Sequence, residues 1–132
     1  MNKYKNKKCL LVDDYNTARN LIKKSLEEIG FNVVEAENGE QAISIITKES
    51  LDLVISDYKM PLKNGLELLE QIHSDDVLNN IPFILMLNEP YEDVISSANS
   101  IGMIDYLVKP FDVFTLSKVL DKVLPSDGGE SL

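Results

Sequence analysis

The sequence predicts an α/β fold in which an open, parallel five-stranded sheet has helices on both faces. Short apolar runs alternate five times with segments of helical periodicity, and the segments between them are long enough for helical crossovers. Strands connected in this way pair in parallel through right-handed crossovers, which place helices on both sides of the sheet. The 132 residues are therefore expected to form one three-layer domain with a doubly wound sheet.

Five apolar runs of strand length account for the predicted sheet. Each is rich in aliphatic or β-branched residues and is bounded by polar or turn-forming segments. Pro82 lies near the start of the fourth run, where a missing backbone donor is tolerated. The predicted strands are residues 9–12, 31–36, 51–56, 81–87 and 103–108.

Helical spacing of apolar residues predicts a helix after each strand. Gly30 and Gly102 follow the first and fourth of these segments, in the position where glycine commonly ends a helix. Residues 61–65 form a loop before the third helix, and residues 111–124 form the fifth. The first four predicted helices are each marked by residues at helical spacing. In chain order these are Ala18, Leu21, Ile22, Ser25, Leu26 and Ile29; Ala42, Ile43 and Ile46 within residues 38–48; Leu66, Leu69 and Ile72; and Val94, Ala98 and Ile101.

Composition limits the domain boundaries and the class of protein. Four lysines precede Cys9, so residues 1–7 are interpreted as a solvated basic arm, residues 8–124 as the domain, and residues 125–132 as a flexible tail or the start of a linker. The net charge of −9 argues against direct nucleic-acid binding. The apolar runs are too short for a membrane helix. A single cysteine, Cys9, excludes an internal disulfide and favours the cytoplasm.

Polar residues follow three of the predicted strands where each strand ends. Asp13 and Asp14 follow the first strand, Asp57 follows the third, and Lys109 follows the fifth. Ligands of open α/β sheets bind beyond the carboxyl ends of the strands, so these four side chains are expected to converge. For Asp14 alone, an ordinary helix cap stays an alternative.

Clustered acids indicate a cation site rather than a nucleotide site. The first strand–helix turn contains no glycine, unlike the loops that cradle a pyrophosphate. Carboxylate oxygens are the ligands that Mg²⁺ prefers, and Mn²⁺ accepts the same ligands. Lys109 and the cation would offset repulsion among the acids, which would leave the carboxylate of Asp57 able to attack a phosphoryl group.

These residues make residues 8–124 similar to the receiver domains of two-component response regulators, and in length to the single-domain, chemotaxis-type members. The resemblance is based on Asp13-Asp14, on the run from Asp57 to Pro61 with Gly65 downstream, and on Lys109-Pro110-Phe111. It implies a flavodoxin-like fold with strand order 2-1-3-4-5. It also implies phosphorylation of Asp57 by a histidine kinase or phosphotransfer protein. The implied magnesium ligands are Asp13, Asp14, Asp57 and the Lys59 carbonyl, Lys109 contacts the phosphoryl group, and the Lys109–Pro110 peptide is cis.

The resemblance also implies how such a domain reports phosphorylation. Partners or an output domain read the face built from helix four, strand five and helix five, and Tyr106 occupies the position of the switch aromatic. Where the family has Thr or Ser, this sequence has Leu87, which lacks a donor worth about 1.5–3 kcal/mol to a charged group. Asn88 is an alternative donor if the strand end shifts by one residue.

Two other functions remain open at this point. One is a receiver that binds its partner constitutively because Leu87 has uncoupled the switch. The other is a phosphohydrolase with an aspartyl intermediate, similar to the haloacid dehalogenase family. That family carries D-x-D after its first strand, whereas this chain carries Asp13-Asp14.

Overall fold

A computed structural model describes residues 4–124 and confirms the predicted fold class. One parallel sheet has the strand order β2-β1-β3-β4-β5, as the family resemblance implied. A short 3₁₀ helix, Leu78–Asn80, precedes the fourth strand. The strands are β1 (Lys8–Val12), β2 (Asn32–Ala36), β3 (Leu53–Asp57), β4 (Phe83–Leu87) and β5 (Asp105–Val108). The helices are α1 (Asn16–Glu28), α2 (Gly39–Ile46), α3 (Gly65–His73), α4 (Glu92–Ile101) and α5 (Val113–Val123).

The sheet separates two apolar clusters. Helices α1 and α5 cover one face, here called the α1/α5 face, and α2, α3 and α4 cover the other, the α2–α4 face. Side chains of β4 alternate between the two clusters: Ile84 and Met86 pack towards α1 and α5, whereas Leu85 and Leu87 pack towards the other helices. A central parallel strand is buried on both faces, which explains the continuous apolar runs in the sequence.

The segment before β1 corrects the predicted boundary at residue 8. Tyr4 is fully buried, and its ring stacks on that of Phe31 with centroids 4.9 Å apart. Its hydroxyl donates to Asp121 Oδ1 at 2.6 Å. The lysines in this segment predict a solvated arm, but the buried side chain of Tyr4 extends the core into it. The predicted tail, residues 125–132, lies outside the described residues.

The inner stripe of α1 also differs from the prediction. Leu21, expected to face the sheet, is 63% exposed, whereas Arg19, Ile22 and Leu26 are buried. Residues 19, 22 and 26 follow i, i+3, i+7 spacing, and Leu21 lies about 100° round the helix from Ile22. An arginine therefore occupies a core-facing position that the apolar pattern did not indicate.

The third helix begins one residue earlier than a loop ending at Gly65 would allow. Asn64 and Glu67 form a capping box: the Glu67 N–H donates to Asn64 Oδ1 at 2.9 Å, and the Asn64 N–H donates to Glu67 Oε1 at 2.8 Å. Such a cap satisfies two otherwise free donors, so it fixes the helix start.

None of the helices within residues 4–124 is long and apolar enough to cross a membrane.

Candidate functional site

Three strand ends bring together the acidic and basic residues predicted from the sequence. Asp13 follows β1, Asp57 is the last residue of β3, and Lys109 follows β5. Lys109 Nζ lies 3.1 Å from Asp13 Oδ2 and 3.3 Å from Asp57 Oδ2. One carboxylate oxygen each from Asp13, Asp14 and Asp57 lie within 4.8 Å of one another. The parallel sheet aligns these strand ends at one edge, so the predicted convergence is confirmed.

Asp14 is not the cap of α1. The cap position is Tyr15, and no side chain accepts a hydrogen bond from the first turn of the helix there. The exposed carboxylate of Asp14 is therefore free to serve the cluster with Asp13 and Asp57.

Burial and charge act against each other in the cluster. Asp13 is fully buried, and Asp57 is only 6% exposed. Burial raises the pKa of Asp57 to about 6; the charge of Lys109 opposes this rise, and Asp13 and Asp14 add to it. Burial on its own would lower the pKa of Lys109, but the charges of Asp57 and Asp13 outweigh it, so the pKa of Lys109 is raised. The lysine therefore stays a cation among the acids.

The backbone and the carboxylate of Asp13 are both held by hydrogen bonds. Its N–H donates to the Ala36 carbonyl at 3.1 Å, and its own carbonyl accepts from Arg19 Nη1 at 2.6 Å. Its Oδ1 accepts from the Tyr15 N–H at 2.9 Å. Sequence reasoning missed Arg19; the i, i+3, i+7 spacing with Ile22 and Leu26 was the signal that could have identified it as inward-facing.

Gly65 lets α3 approach the site more closely than any other residue would. Its N–H donates to the Tyr58 carbonyl at 2.8 Å. A Cβ at this position would lie 2.6 Å from the Asp57 carbonyl oxygen and 2.7 Å from Leu85 Cδ1. This close approach, rather than an unusual backbone angle, accounts for the glycine downstream of Asp57 in the motif.

A cleft of about 430 Å³ opens onto the acidic cluster. Lys59 and Asn88 both border it, and the Lys109–Pro110 peptide is cis, as the family resemblance implied. The residues that border the cleft are Asp14, Tyr15, Ala18, Asp57, Lys59, Asn88, Lys109 and Pro110.

Leu87 and Tyr106 both pack in the apolar cluster of the α2–α4 face. Leu87 is fully buried in the apolar cluster of the α2–α4 face, and Tyr106 packs half-buried against the same cluster. In the β4–β5 register Tyr106 pairs with Leu85, two residues before Leu87. At the end of β4, Asn88 therefore borders the cleft while Leu87 packs in the core.

The donor set fits a hard divalent cation. Three carboxylates supply only oxygen donors, which suits Mg²⁺ with part of its hydration shell retained. Two of the three acids are buried and share one lysine, so the cluster keeps excess negative charge that such an ion would neutralise.

Comparison with known proteins identifies the family. Residues 9–121 match the family model described as the response regulator receiver domain. The chemotaxis protein CheY-3 of Vibrio cholerae is 38% identical over 120 residues, covering 90% of this chain and 92% of that protein. The chemotaxis protein CheY of Pseudomonas aeruginosa is 32% identical over 123 residues, covering 92% and 99%.

Solved structures agree with this assignment. The chemotaxis response regulator CheY4 of Vibrio cholerae superposes with a TM-score of 0.84 at 30% identity, covering 89% of this chain and 98% of that one. The receiver domain of a sensor histidine kinase from Pseudomonas aeruginosa, solved with a magnesium ion in its active site cleft, has the same fold. Its TM-score is 0.81 at 24% identity, covering 89% and 96%.

The chain belongs to the response regulator receiver family. It is a phosphorylatable two-component response regulator, in a family of signalling phosphoacceptor domains that receive a phosphoryl group on an aspartate in a Mg²⁺-dependent reaction. Its partners are accordingly a histidine kinase or phosphotransfer protein and a downstream effector.

Proposed function

We propose that Asp57 is the phosphoacceptor and that Asp13, Asp14, Asp57 and the Lys59 carbonyl hold Mg²⁺ or Mn²⁺. The observation that carries this proposal is the meeting of three carboxylates within 4.8 Å, with Lys109 Nζ at 3.1 and 3.3 Å from two of them. Among the three acids, Asp57 is the one that ends the central strand β3 and borders the open cleft.

The proposed reaction is an in-line transfer from a phosphohistidine. An Asp57 carboxylate oxygen forms a bond to phosphorus while the phosphorus–nitrogen bond breaks, and the electron pair stays on the imidazole. A pKa of about 6 leaves Asp57 mostly ionised at neutral pH, so the nucleophile is available. A bound divalent cation supplies charge neutralisation between acid and phosphate. Lys109 holds its positive charge beside the acceptor and pairs with the incoming oxygens.

The Asn88 side chain is proposed to donate to the phosphoryl group in place of the family's hydroxyl. Asn88 borders the cleft, whereas Leu87 is buried in the apolar cluster that also supports Tyr106. Phosphorylation then reaches Tyr106 only weakly, and partner binding at the face of α4, β5 and α5 is correspondingly less sensitive to it. The domain is proposed to act in the cytoplasm, where Cys9 stays reduced.

The acceptor is tested with a small acyl phosphate donor in the presence of Mg²⁺. The wild-type protein is expected to gain the mass of one phosphoryl group, and the gain is expected to be lost at alkaline pH. Asp57→Asn is expected to show no gain, while Asp76→Asn, at an exposed acid on the segment after α3, is expected to behave as the wild type. A persistent gain in Asp57→Asn, or none in the wild type, rejects the assignment.

The switch is tested by replacing Leu87 with Thr. Because a hydroxyl at this position would give the phosphoryl group a donor next to Tyr106, Leu87→Thr is expected to enlarge the phosphorylation-dependent NMR shift change of Tyr106. Asn88→Ala is expected to slow phosphorylation, since it removes an amide from the cleft. Equal Tyr106 shifts in Leu87→Thr and the wild type would show that this position does not couple to Tyr106.

A further inference from the structure

Arg19 is a buried cation in the first turn of α1 whose three nitrogens have three different acceptors. Nη1 donates to the Asp13 carbonyl at 2.6 Å, Nη2 to Asn16 Oδ1 at 2.5 Å, and Nε to Glu35 Oε1 at 3.0 Å. Its side chain is only 10% exposed. The guanidinium therefore connects the end of β1, the start of α1 and strand β2 through one planar group.

We propose that Arg19 is a positioning residue for the acidic site. It fixes the turn of residues 13–16, from which the carboxylates of Asp13 and Asp14 project. Asp13 is the last link between β1 and this turn, and its carbonyl accepts the charge-assisted bond from Arg19. The same turn carries the Tyr15 N–H that donates to Asp13 Oδ1. Removing the guanidinium would leave a buried carbonyl without that donor and free the turn to move.

A neighbouring ion pair provides a control, because it attaches the same helix to β2 at a distance from the acidic site. Lys23 Nζ lies 2.9 Å from Glu35 Oε2, so it also links α1 to β2. The hydrogen bond from Lys23, and to a lesser extent that from Arg19, holds the pKa of Glu35 below its ordinary value, although burial acts in the opposite direction. Both cations therefore attach α1 to β2 through the same carboxylate, but of the two only Arg19 contacts Asp13.

Arginine is suited to this role in a way that lysine is not. One planar fork serves a carboxylate, a side-chain amide oxygen and a backbone carbonyl in fixed directions. A lysine ammonium is a point charge on a flexible stem, so it would satisfy Glu35 or Asp13 but not the whole set. The conservative variant Arg19→Lys thus keeps the charge and removes the geometry.

The experiment compares Arg19→Lys and Arg19→Ala with Lys23→Gln as the matched control. The first readout is hydrogen exchange of the Tyr15 amide by NMR in metal-free protein, because this amide donates to Asp13 Oδ1. The second is Mg²⁺ affinity, measured by NMR titration. Arg19→Lys is expected to raise the Tyr15 exchange rate and to weaken Mg²⁺ binding by about tenfold, the usual scale for groups that orient metal ligands. Lys23→Gln is expected to stay within about twofold of the wild type in both.

Wild-type Tyr15 exchange and Mg²⁺ affinity in Arg19→Lys would overturn the proposal, as would equal changes in Lys23→Gln. Should the Arg19 variants fail to fold, Asn16→Ala, at an exposed residue, is expected to raise Tyr15 exchange in the same direction, and no rise would overturn the proposal. The role in Mg²⁺ binding rests on the proposed function. If the wild type binds no Mg²⁺, that function fails, whereas the metal-free exchange rates still decide the role of Arg19.

Discussion

The carboxyl group of Asp57 lies almost entirely out of solvent, beside one lysine and two other acids. Burial raises its pKa from an ordinary 3.8 to about 6. The folded state therefore binds this proton more tightly than the unfolded chain does. We therefore expect the stability of the metal-free protein to fall as the pH rises from about 4 to about 6, by about 2–3 kcal/mol in total.

Asp57→Asn is expected to stabilise the metal-free protein at neutral pH by about 1–3 kcal/mol, because it removes the buried charge and keeps the shape. At pH 4 the difference from the wild type is expected to shrink, since Asp57 is then protonated. Denaturant unfolding at several pH values measures both effects, with Asp76→Asn as the control for the general relief of negative charge. A constant difference between pH 4 and pH 7 would contradict the assigned titration.

Single residues differ in how far the sequence reveals them. Asp13, Asp57 and Lys109 were predictable because parallel strands align their carboxyl ends, so position along the chain was enough. Arg19 and Tyr4 were not, because each packs against residues far from it in sequence. Arg19 donates to Glu35, and Tyr4 donates to Asp121. A pattern of apolar residues carries no information on a polar group that is buried with its partner.

Helix α3 approaches the acidic site so closely that its first residue has no room for a side chain. The added Cβ of an alanine at Gly65 would lie 2.6 Å from the Asp57 carbonyl oxygen. The neighbouring Asn64 contributes to the same helix start through its capping box. Substitutions at these two adjacent residues therefore test different properties: Gly65 determines how closely α3 approaches the site, and Asn64 stabilises the start of the helix.

Gly65→Ala is expected to lower the free energy of unfolding by about 1–3 kcal/mol and to slow phosphorylation, because the overlap pushes α3 away from Asp57 or shifts the end of β3. Asn64→Ala is expected to cost about 1 kcal/mol through the lost cap and to leave phosphorylation unchanged. Chemical denaturation and the acyl phosphate assay give the two quantities. Equal phosphorylation rates in both variants would show that the close approach does not matter to the site.

The ends of the elements were the least predictable part of the fold. β4 and β5 begin two residues later than the apolar runs suggested, although the Pro82 carbonyl already accepts from the Val54 N–H and the Ile104 N–H already donates to the Phe83 carbonyl. Met103 is buried outside any strand, while Ile104 is 54% exposed. Apolar character records burial, and burial extends beyond the hydrogen-bonded ladder of a sheet.

At the scale of the whole molecule, the segment before β1 closes the end of the domain opposite the acidic site. Tyr4 joins the α1–β2 connection, through Phe31, to the last turn of α5, through Asp121. This contact unites residues 117 positions apart in the chain. The packed domain therefore includes more of the chain than residues 8–124.

Tyr4→Phe is expected to lower the free energy of unfolding by about 1–2 kcal/mol, because the ring stays in place and only the bond to a charged acceptor is lost. Phosphorylation is expected to be unchanged, since the site lies at the other end of the strands. Thermal and denaturant unfolding measure the loss, with Tyr91→Phe, at a tyrosine 39% exposed, as the control. A stability equal to that of the wild type would mean that Asp121 gives Tyr4 no net support.

The sheet also acts as a partition through the domain. Asp57 follows Leu53 and Ile55, which face α1 and α5, so alternation places the proposed acceptor on that side. Tyr106 is on the opposite side. We expect any coupling between Asp57 and Tyr106 to run around the carboxyl ends of the strands, where Leu87 and Asn88 lie, rather than through the packed sheet. Substitutions at these strand ends are therefore expected to change the strength of the coupling between phosphorylation at Asp57 and the position of Tyr106, without repacking either apolar cluster.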